Sequence, residues 1–262
     1  MFSPAKAGID QRLKDLTSQF ATYVAAFDNK PPFKPEQLRS HLWTLELRSR
    51  FPTASTAACD QTFTRSLRET LHSWGIGKQG GELVSPEEFH NELCQVASML
   101  THLESLQIED AHTEARVTAG LIWEIIEQLN IVRNRKNKEP LRNKVVGGTK
   151  ALHHLLPDLV FPMDNEYTKT FFGWWNPEFQ NHPGECFKFA FQTLSDVARE
   201  VSLSKYLGVK WRTSSAKILD NAIVGFCQVH RLKSEQTKQR ERTKYLIGLG
   251  KKAQAEGFVD TS

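Results

Sequence analysis

Apolar residues return every three or four positions along most of the chain, and the strict alternation of a half-buried strand scarcely appears. Phe89, Leu93, Val96, Leu100 and Leu103 keep this spacing. So do Val117, Leu121, Ile125, Leu129 and Val132, and again Phe187, Phe191, Leu194, Val197 and Val201. Less regular versions cover roughly residues 4–27, 35–50, 56–73 and 213–231. Ser85 can cap the first run, Pro86 suits a first helical turn, and Glu88 completes a capping box. Breaks fall at Pro31-Pro32, between Gly75 and Gly81, after Val132, and between Asn176 and Gly184. The pattern predicts an all-α, multi-helical protein without internal repeats.

Composition agrees with a folded chain. Of 262 residues, 39% are hydrophobic and 24% charged, and six Trp with sixteen Phe argue against disorder over most of the length. The start, MFSPAKAGIDQRLKD, has no apolar leader core, and no later stretch approaches the roughly 18 apolar residues of a membrane span. The expectation is a soluble cytoplasmic protein, nucleoid-associated if bacterial, with no membrane contact and no obligate protein partner. Cys59, Cys94, Cys186 and Cys227 lie far apart, which predicts four reduced thiols. His90 and Cys94 share a helix face but lack a third ligand, so neither a metal nor an organic cofactor is expected.

The net charge is only +4, with a pI near 8.8, so the distribution says more than the total. Arg133 to Lys144 holds six basic residues against Glu139, and Arg231 to Lys252 holds eight against Glu235 and Glu241. Such runs mark solvated loops or tails, and they are also what a phosphate backbone requires.

The most informative stretch is KEPLRNKVVGGTKALHHLLPDLVFPMDNEYTKTFF, from Lys138 to Phe172. A short helix over Pro140 to Val145, a tight turn at Gly147-Gly148 and a second helix opening at Thr149 would leave backbone N–H groups pointing outward. Those donors and the positive helix end would hold a phosphate, helped by Arg142, Lys144 and Lys150. The chain then runs through Leu159 to Met163 into Asp164, with Tyr167 and Lys169 in a new helix behind it.

These residues resemble the helix-hairpin-helix DNA glycosylase superfamily over roughly residues 138–172. Gly148-Thr149-Lys150 is similar to the end of the family's hairpin, and Asp164, Tyr167 and Lys169 to its catalytic aspartate and the residues that follow. Val145-Val146-Gly147-Gly148 replaces the usual opening, and the stretch from Lys150 to Asp164 is shorter than usual. The resemblance implies a two-lobed helical fold. Residues 1–132 would form mainly an N-terminal lobe, 133–231 the hairpin lobe, and 232–262 a basic extension.

It also implies an enzyme that flips a modified or damaged base from double-stranded DNA and cleaves its N-glycosidic bond, leaving an abasic site. Asp164 would stabilise the positive charge that builds on the sugar and position a water. Lys150 would be a phosphate contact, or else an amine nucleophile; the first reading makes the enzyme monofunctional. Lys169 and Arg212 would add contacts to DNA, and Phe161, Tyr167, Phe172, Trp174 and Trp175 would frame the base. The context would be repair, or defence against phage DNA carrying modified cytosine. The alternatives are a non-catalytic DNA clamp, in which Asp164 only caps a helix, and a protein-interaction domain. Of His153 and His154, adjacent in sequence, one is expected to be satisfied inside and one exposed.

Overall fold

A computed structural model describes residues 2–78, 81–233 and 243. Most of the extension expected at 232–262, with most of its basic run, lies outside the described residues. Helix accounts for 63% of the structure, in 13 α-helices beside one two-stranded sheet among the described residues. No described helix is long and apolar enough to cross a membrane.

The expected helix over 4–27 is two: α1 (Ile9–Ser18) and α2 (Phe20–Asn29), with Gln19 between them outside helical geometry. The bend lets α1 lie on one late helix and α2 on another. Next come α3 (Pro35–Ser49), α4 (Ala54–Ala58) and α5 (Gln61–Ser73), the last capped by Asp60, whose Oδ1 accepts the Phe63 N–H at 2.8 Å. Helix α6 (Pro86–Gln95) starts with the expected capping box: Ser85 Oγ accepts from Glu88 N–H, and Glu88 Oε2 from Ser85 N–H, both at 3.2 Å. Short α7 (Ala97–Leu100) and long α8 (Ala115–Gln128) complete the first half.

Helix α9 (Val145–Leu155) carries the segment of interest, followed by α10 (Tyr167–Phe172), α11 (Asn176–Asn181), α12 (Pro183–Val201) and α13 (Ser215–Val229). One continuous apolar core runs through helices of both sequence halves. Helices of the two halves pack on one another: α2 lies along α13 and α1 along α12. The crossing of α2 and α13 is close because Gly225 has no side chain. A Cβ there would stand 1.9 Å from the Tyr23 carbonyl oxygen.

Three local expectations are corrected. The Pro140–Val145 helix is absent, because the chain there is tied to strand β2 (Val132–Asn134), which pairs antiparallel with β1 (Gly81–Leu83). Asn134 N–H bonds the Glu139 carbonyl at 2.7 Å and Leu141 N–H that of Val132 at 3.1 Å, so residues 132–141 double back as a hairpin of extended chain. Secondly, Gly147 and Gly148 form no turn but lie within the first turn of α9. Gly148 is there for packing: a Cβ would press on Ile126 of α8 at 2.9 Å. Thirdly, Cys59 and Cys94 are joined in a disulfide where α4 ends beside α6, with Cα atoms 4.7 Å apart, while Cys186 and Cys227 are free and buried.

Candidate active site

The start of α9 opens on a groove of about 880 Å³. One wall is the extended hairpin and the loop after it, with Glu139, Arg142, Asn143 and Lys144. Val146, Gly147 and Lys150 of α9 form the floor, and Asp164, Asn165 and Glu166 the far side. In the first turn of α9, Val145 N–H is taken by Asn143 Oδ1 at 3.1 Å. The N–H groups of Val146 and Gly147 have no intrahelical carbonyl to reach, and both residues line the groove.

A smaller recess of about 30 Å³ adjoins the groove. Phe33, Trp74, Lys150 and Asp164 line both spaces, so they stand at the junction; Gln37, Pro162, Trp211, Lys217 and Asp220 line the recess alone. Asp164 is held by the start of α10. Its Oδ1 accepts from the N–H groups of Glu166 at 2.8 Å, Tyr167 at 2.6 Å and Thr168 at 3.4 Å. A carboxylate capping a helix uses one oxygen in this way and leaves the other for the site.

Lys150 is half-buried, with its Nζ 5.7 Å from the centre of the Trp74 ring. Loss of hydration lowers its pKa from the usual lysine value, although Asp164 and Asp220 pull the other way. Lys217 is more deeply placed. Its Nζ donates to Asp220 Oδ2 and to Asn221 Oδ1, each at 2.6 Å, and lies 5.1–5.3 Å from the rings of Phe27, Phe33 and Trp211. Burial raises the pKa of Asp220 despite the ammonium beside it.

Behind the aromatic walls sit three buried histidines. His154 Nδ1 reaches the Lys150 carbonyl at 2.8 Å, so this nitrogen carries the hydrogen and Nε2 is the acceptor. His41 Nδ1 is 3.0 Å from that Nε2 and must be the donor, which leaves His41 Nε2 to accept from Thr213 Oγ1 at 3.0 Å. His153 donates to the Val160 carbonyl at 2.9 Å, and its Nε2 has no partner among the described residues. The His41 ring stacks between Trp211 and His153, at 5.5 and 5.6 Å, fixing one wall of the recess. Burial pushes all three imidazoles towards the neutral form, His154 down to about 4. The expectation of one exposed histidine in the His153-His154 pair is thus corrected: α3 and α5 both pack on α9, and both rings are buried.

Several anticipated residues face elsewhere. Thr149 is buried, donating to the Val145 carbonyl at 2.7 Å and accepting from Met163 N–H at 3.1 Å, so it opens no helix to solvent. Lys169 is buried with its Nζ on Asn176, and Arg212 pairs with Asp28. Lys144 donates to the Glu127 carbonyl and to Asn130 Oδ1, while Arg142 is exposed in the groove with no partner among the described residues. Within the basic run, Arg133 and Lys138 pair with Glu88 and Glu82, and Arg135 holds the carbonyls of Gly77 and Gly81.

None of the five aromatic residues expected around a base lines the recess. Phe161 and Phe172 are core, Trp174 stacks on Phe172 and donates to the Pro4 carbonyl at 2.8 Å, Tyr167 packs against the core, and Trp175 is exposed outside the groove. An apolar run this close to Asp164 is consumed in anchoring α10, and aromatics from distant segments, Phe33, Trp74 and Trp211, take its place. Lys217 and Asp220 carried a signal in the sequence: two charges and an amide at i, i+3 and i+4 on an otherwise apolar helix. Phe33 and Trp74 carried none. Among the described residues no three His, Cys, Asp or Glu side chains gather as a metal site. No protein-family model, curated protein or solved structure matches the chain.

Proposed function

We propose that the protein is a DNA N-glycosylase that takes a modified or damaged base out of the duplex and breaks its bond to the sugar. The observation that carries this reading is that Lys150 and Asp164 stand together where an aromatic-walled recess meets an open groove. The groove would take the strand, with Arg142 and the first N–H groups of α9 against a phosphate. Phe33 and Trp74 offer faces for an extruded base. As the C1′–N bond lengthens, positive charge grows on the sugar, and the Asp164 carboxylate opposes it.

Lys150 then acts as the attacking amine rather than as a phosphate contact. Its burial beside Trp74 disfavours the ammonium form, and a neutral Nζ has the lone pair that attack on C1′ needs. The Nζ–C1′ bond forms as the base departs with the electron pair of the broken C1′–N bond, and the proton shed by the alkylated nitrogen neutralises the departing base. This reverses the monofunctional expectation drawn from the sequence. A clamp without catalysis is the second reading; it would use the same groove and the first N–H groups of α9 but would give Lys150 and Asp164 at the mouth of the recess no role.

The test is to incubate wild type and Asp164→Asn with duplexes carrying a panel of oxidised, deaminated, alkylated and bulky modified bases, then reveal abasic sites with alkali. Cleavage by wild type and its loss in the variant are expected. Absence of cleavage on every substrate would overturn the enzyme reading. Borohydride should trap wild type on DNA, and not Lys150→Ala.

A further inference from the structure

Breaking an N-glycosidic bond separates two charges, and the residues assigned so far oppose only one of them. Asp164 faces the positive charge on the sugar. The electron pair that leaves with the base has no counterpart among those residues, but the recess supplies one. Lys217 and Asp220 stand one turn apart on α13, with Lys217 Nζ 2.6 Å from Asp220 Oδ2 and 2.6 Å from Asn221 Oδ1. Both charged side chains are buried. A pair of this kind contributes little to stability compared with apolar residues of the same size. Its place in the wall of a recess needs another account.

Which space each residue lines gives the order along the path. Lys150 and Asp164 line both the groove and the recess, whereas Lys217 lines the recess alone. A nucleotide entering from the groove meets Asp164 and Lys150 first and Lys217 beyond them. With about 30 Å³ the recess admits a leading atom of a base and not its ring. The sugar then lies on the carboxylate side and the leading atom of the base on the ammonium side. Two of the three ammonium protons are engaged, by Asp220 and Asn221, and the third meets no hydrogen-bond acceptor among the described residues. The rings of Phe27, Phe33 and Trp211 stand 5.1–5.3 Å from Nζ, so its charge acts in surroundings poor in water.

We propose that Lys217 is a further catalytic residue, a fixed cationic donor that stabilises the negative charge growing on the departing base. The inference rests on the base-excision reading. Asp220 and Asn221 hold the ammonium in place beforehand, so nothing has to reorganise when the charge appears. As the C1′–N bond breaks, its electron pair moves onto the base, and a base atom accepts a hydrogen bond from Lys217 Nζ. Lys217 keeps all its protons. The base is neutralised afterwards by the proton that the alkylated Lys150 nitrogen sheds. Asp164 and Lys217 thus oppose the two ends of a single charge separation.

The test uses two duplexes that differ in whether a base must depart. One carries the modified base that wild type excises fastest in the panel above, and the other a preformed abasic site. At the abasic site Lys150 condenses with the C1′ aldehyde, releasing water, and borohydride reduces the imine; no base leaves. Lys217→Met/Asp220→Leu removes both charges of the pair and strands neither of them. It should lose base release by about 10²–10³, the scale of one preorganised donor, and still be trapped on the abasic duplex. A thermal melt shows whether the fold is retained. If it is not, Lys217→Gln, which keeps a donor without the charge, should lose release by at least about tenfold with trapping intact. Unchanged release in the folded variant would overturn the proposal. So would equal losses of release and trapping, which would make Lys217 part of the wall and nothing more. If wild type excises no base from any duplex, the glycosylase reading fails and this inference with it. If wild type and folded variant excise alike, this inference fails alone.

Discussion

His41 donates its Nδ1–H to Nε2 of His154, 3.0 Å away, and that bond can exist only while His154 is neutral. Folding therefore competes with protonation. The His154 pKa falls from its ordinary 6.5 to about 4 through burial, so between those values the unfolded chain binds a proton that the native one refuses. Stability contributed by the neutral form is present above pH 6.5 and is lost as the pH falls towards 4. A difference of this size corresponds to about 3 kcal/mol at its limit, with His41 and His153 adding in the same direction. Urea titrations from pH 8 to pH 4.5 should show the midpoint dropping below about pH 6.5, and His154→Gln should flatten that dependence.

Lys150 gives the second pH signature. Attack by a neutral amine makes the single-turnover rate rise with pH and level off below the ordinary lysine value of 10.5, since burial lowers the pKa. Lys150→Arg should lose borohydride trapping altogether while still binding DNA. A rate independent of pH from 7 to 10, with trapping intact in Lys150→Ala, would return the lysine to a binding role.

Asp164 has two duties that substitution can divide. Asn keeps the cap on α10 but not the charge, so Asp164→Asn should melt within about 1 kcal/mol of wild type and lose activity by about 10²–10³. Asp164→Ala should lose the activity and roughly a further 1 kcal/mol of stability, because the three N–H groups it serves lose their acceptor. Equal melting of Asn and Ala variants would count against the capping role.

Salt dependence distinguishes a cation exposed in the groove from one paired with a carboxylate. Arg142 is exposed in the groove, and Arg212 is bound to Asp28. Arg142→Ala should reduce the slope of log affinity against log salt by about 1, and Arg212→Ala should leave it unchanged. Filter binding to an undamaged duplex at four salt concentrations is sufficient to see the difference.

Helix positions were legible from the spacing, although the buried face of α8 is Thr118, Ala119, Ile122, Trp123, Ile125 and Ile126, and Val117 and Leu121 of the expected stripe are exposed. The runs at Phe89–Leu103, Val117–Val132 and Phe187–Val201 fall largely on α6 with α7, on α8 and on α12, and the Ser85 box is formed as its residue types require. The glycine pair was misread because a turn and a close helix contact ask for the same residue. Only the presence of Ile126 opposite Gly148 decides between them. The same limit applies to the recess. Asp164 and Lys150 are close in sequence and could be found together, whereas Phe33, Trp74 and Trp211 meet only through tertiary packing. Spacing rules describe neighbours along one helix and are silent about faces brought together from three.

A corresponding stability prediction comes from glycines. Gly225→Ala should cost about 2 kcal/mol or more, because a main-chain carbonyl of α2 would have to retreat from a contact of 1.9 Å. Gly148→Ala should cost less, about 1 kcal/mol, since the obstacle is the Ile126 side chain. Thermal melts of both variants check the order, and the reverse order would refute it.

The same crossing of α2 and α13 bears on how the chain is assembled. The Tyr23 hydroxyl meets His230 Nε2 at 3.0 Å across 207 positions. During synthesis the apolar face of α2 must therefore wait, uncovered, until the ribosome has delivered nearly everything the recess is made from. At about 5–20 residues per second that interval is on the order of 10–40 seconds. A chain interrupted before α13 would lack Lys217 and Asp220, and would also display its earliest helix to whatever holdase or neighbouring nascent chain is at hand.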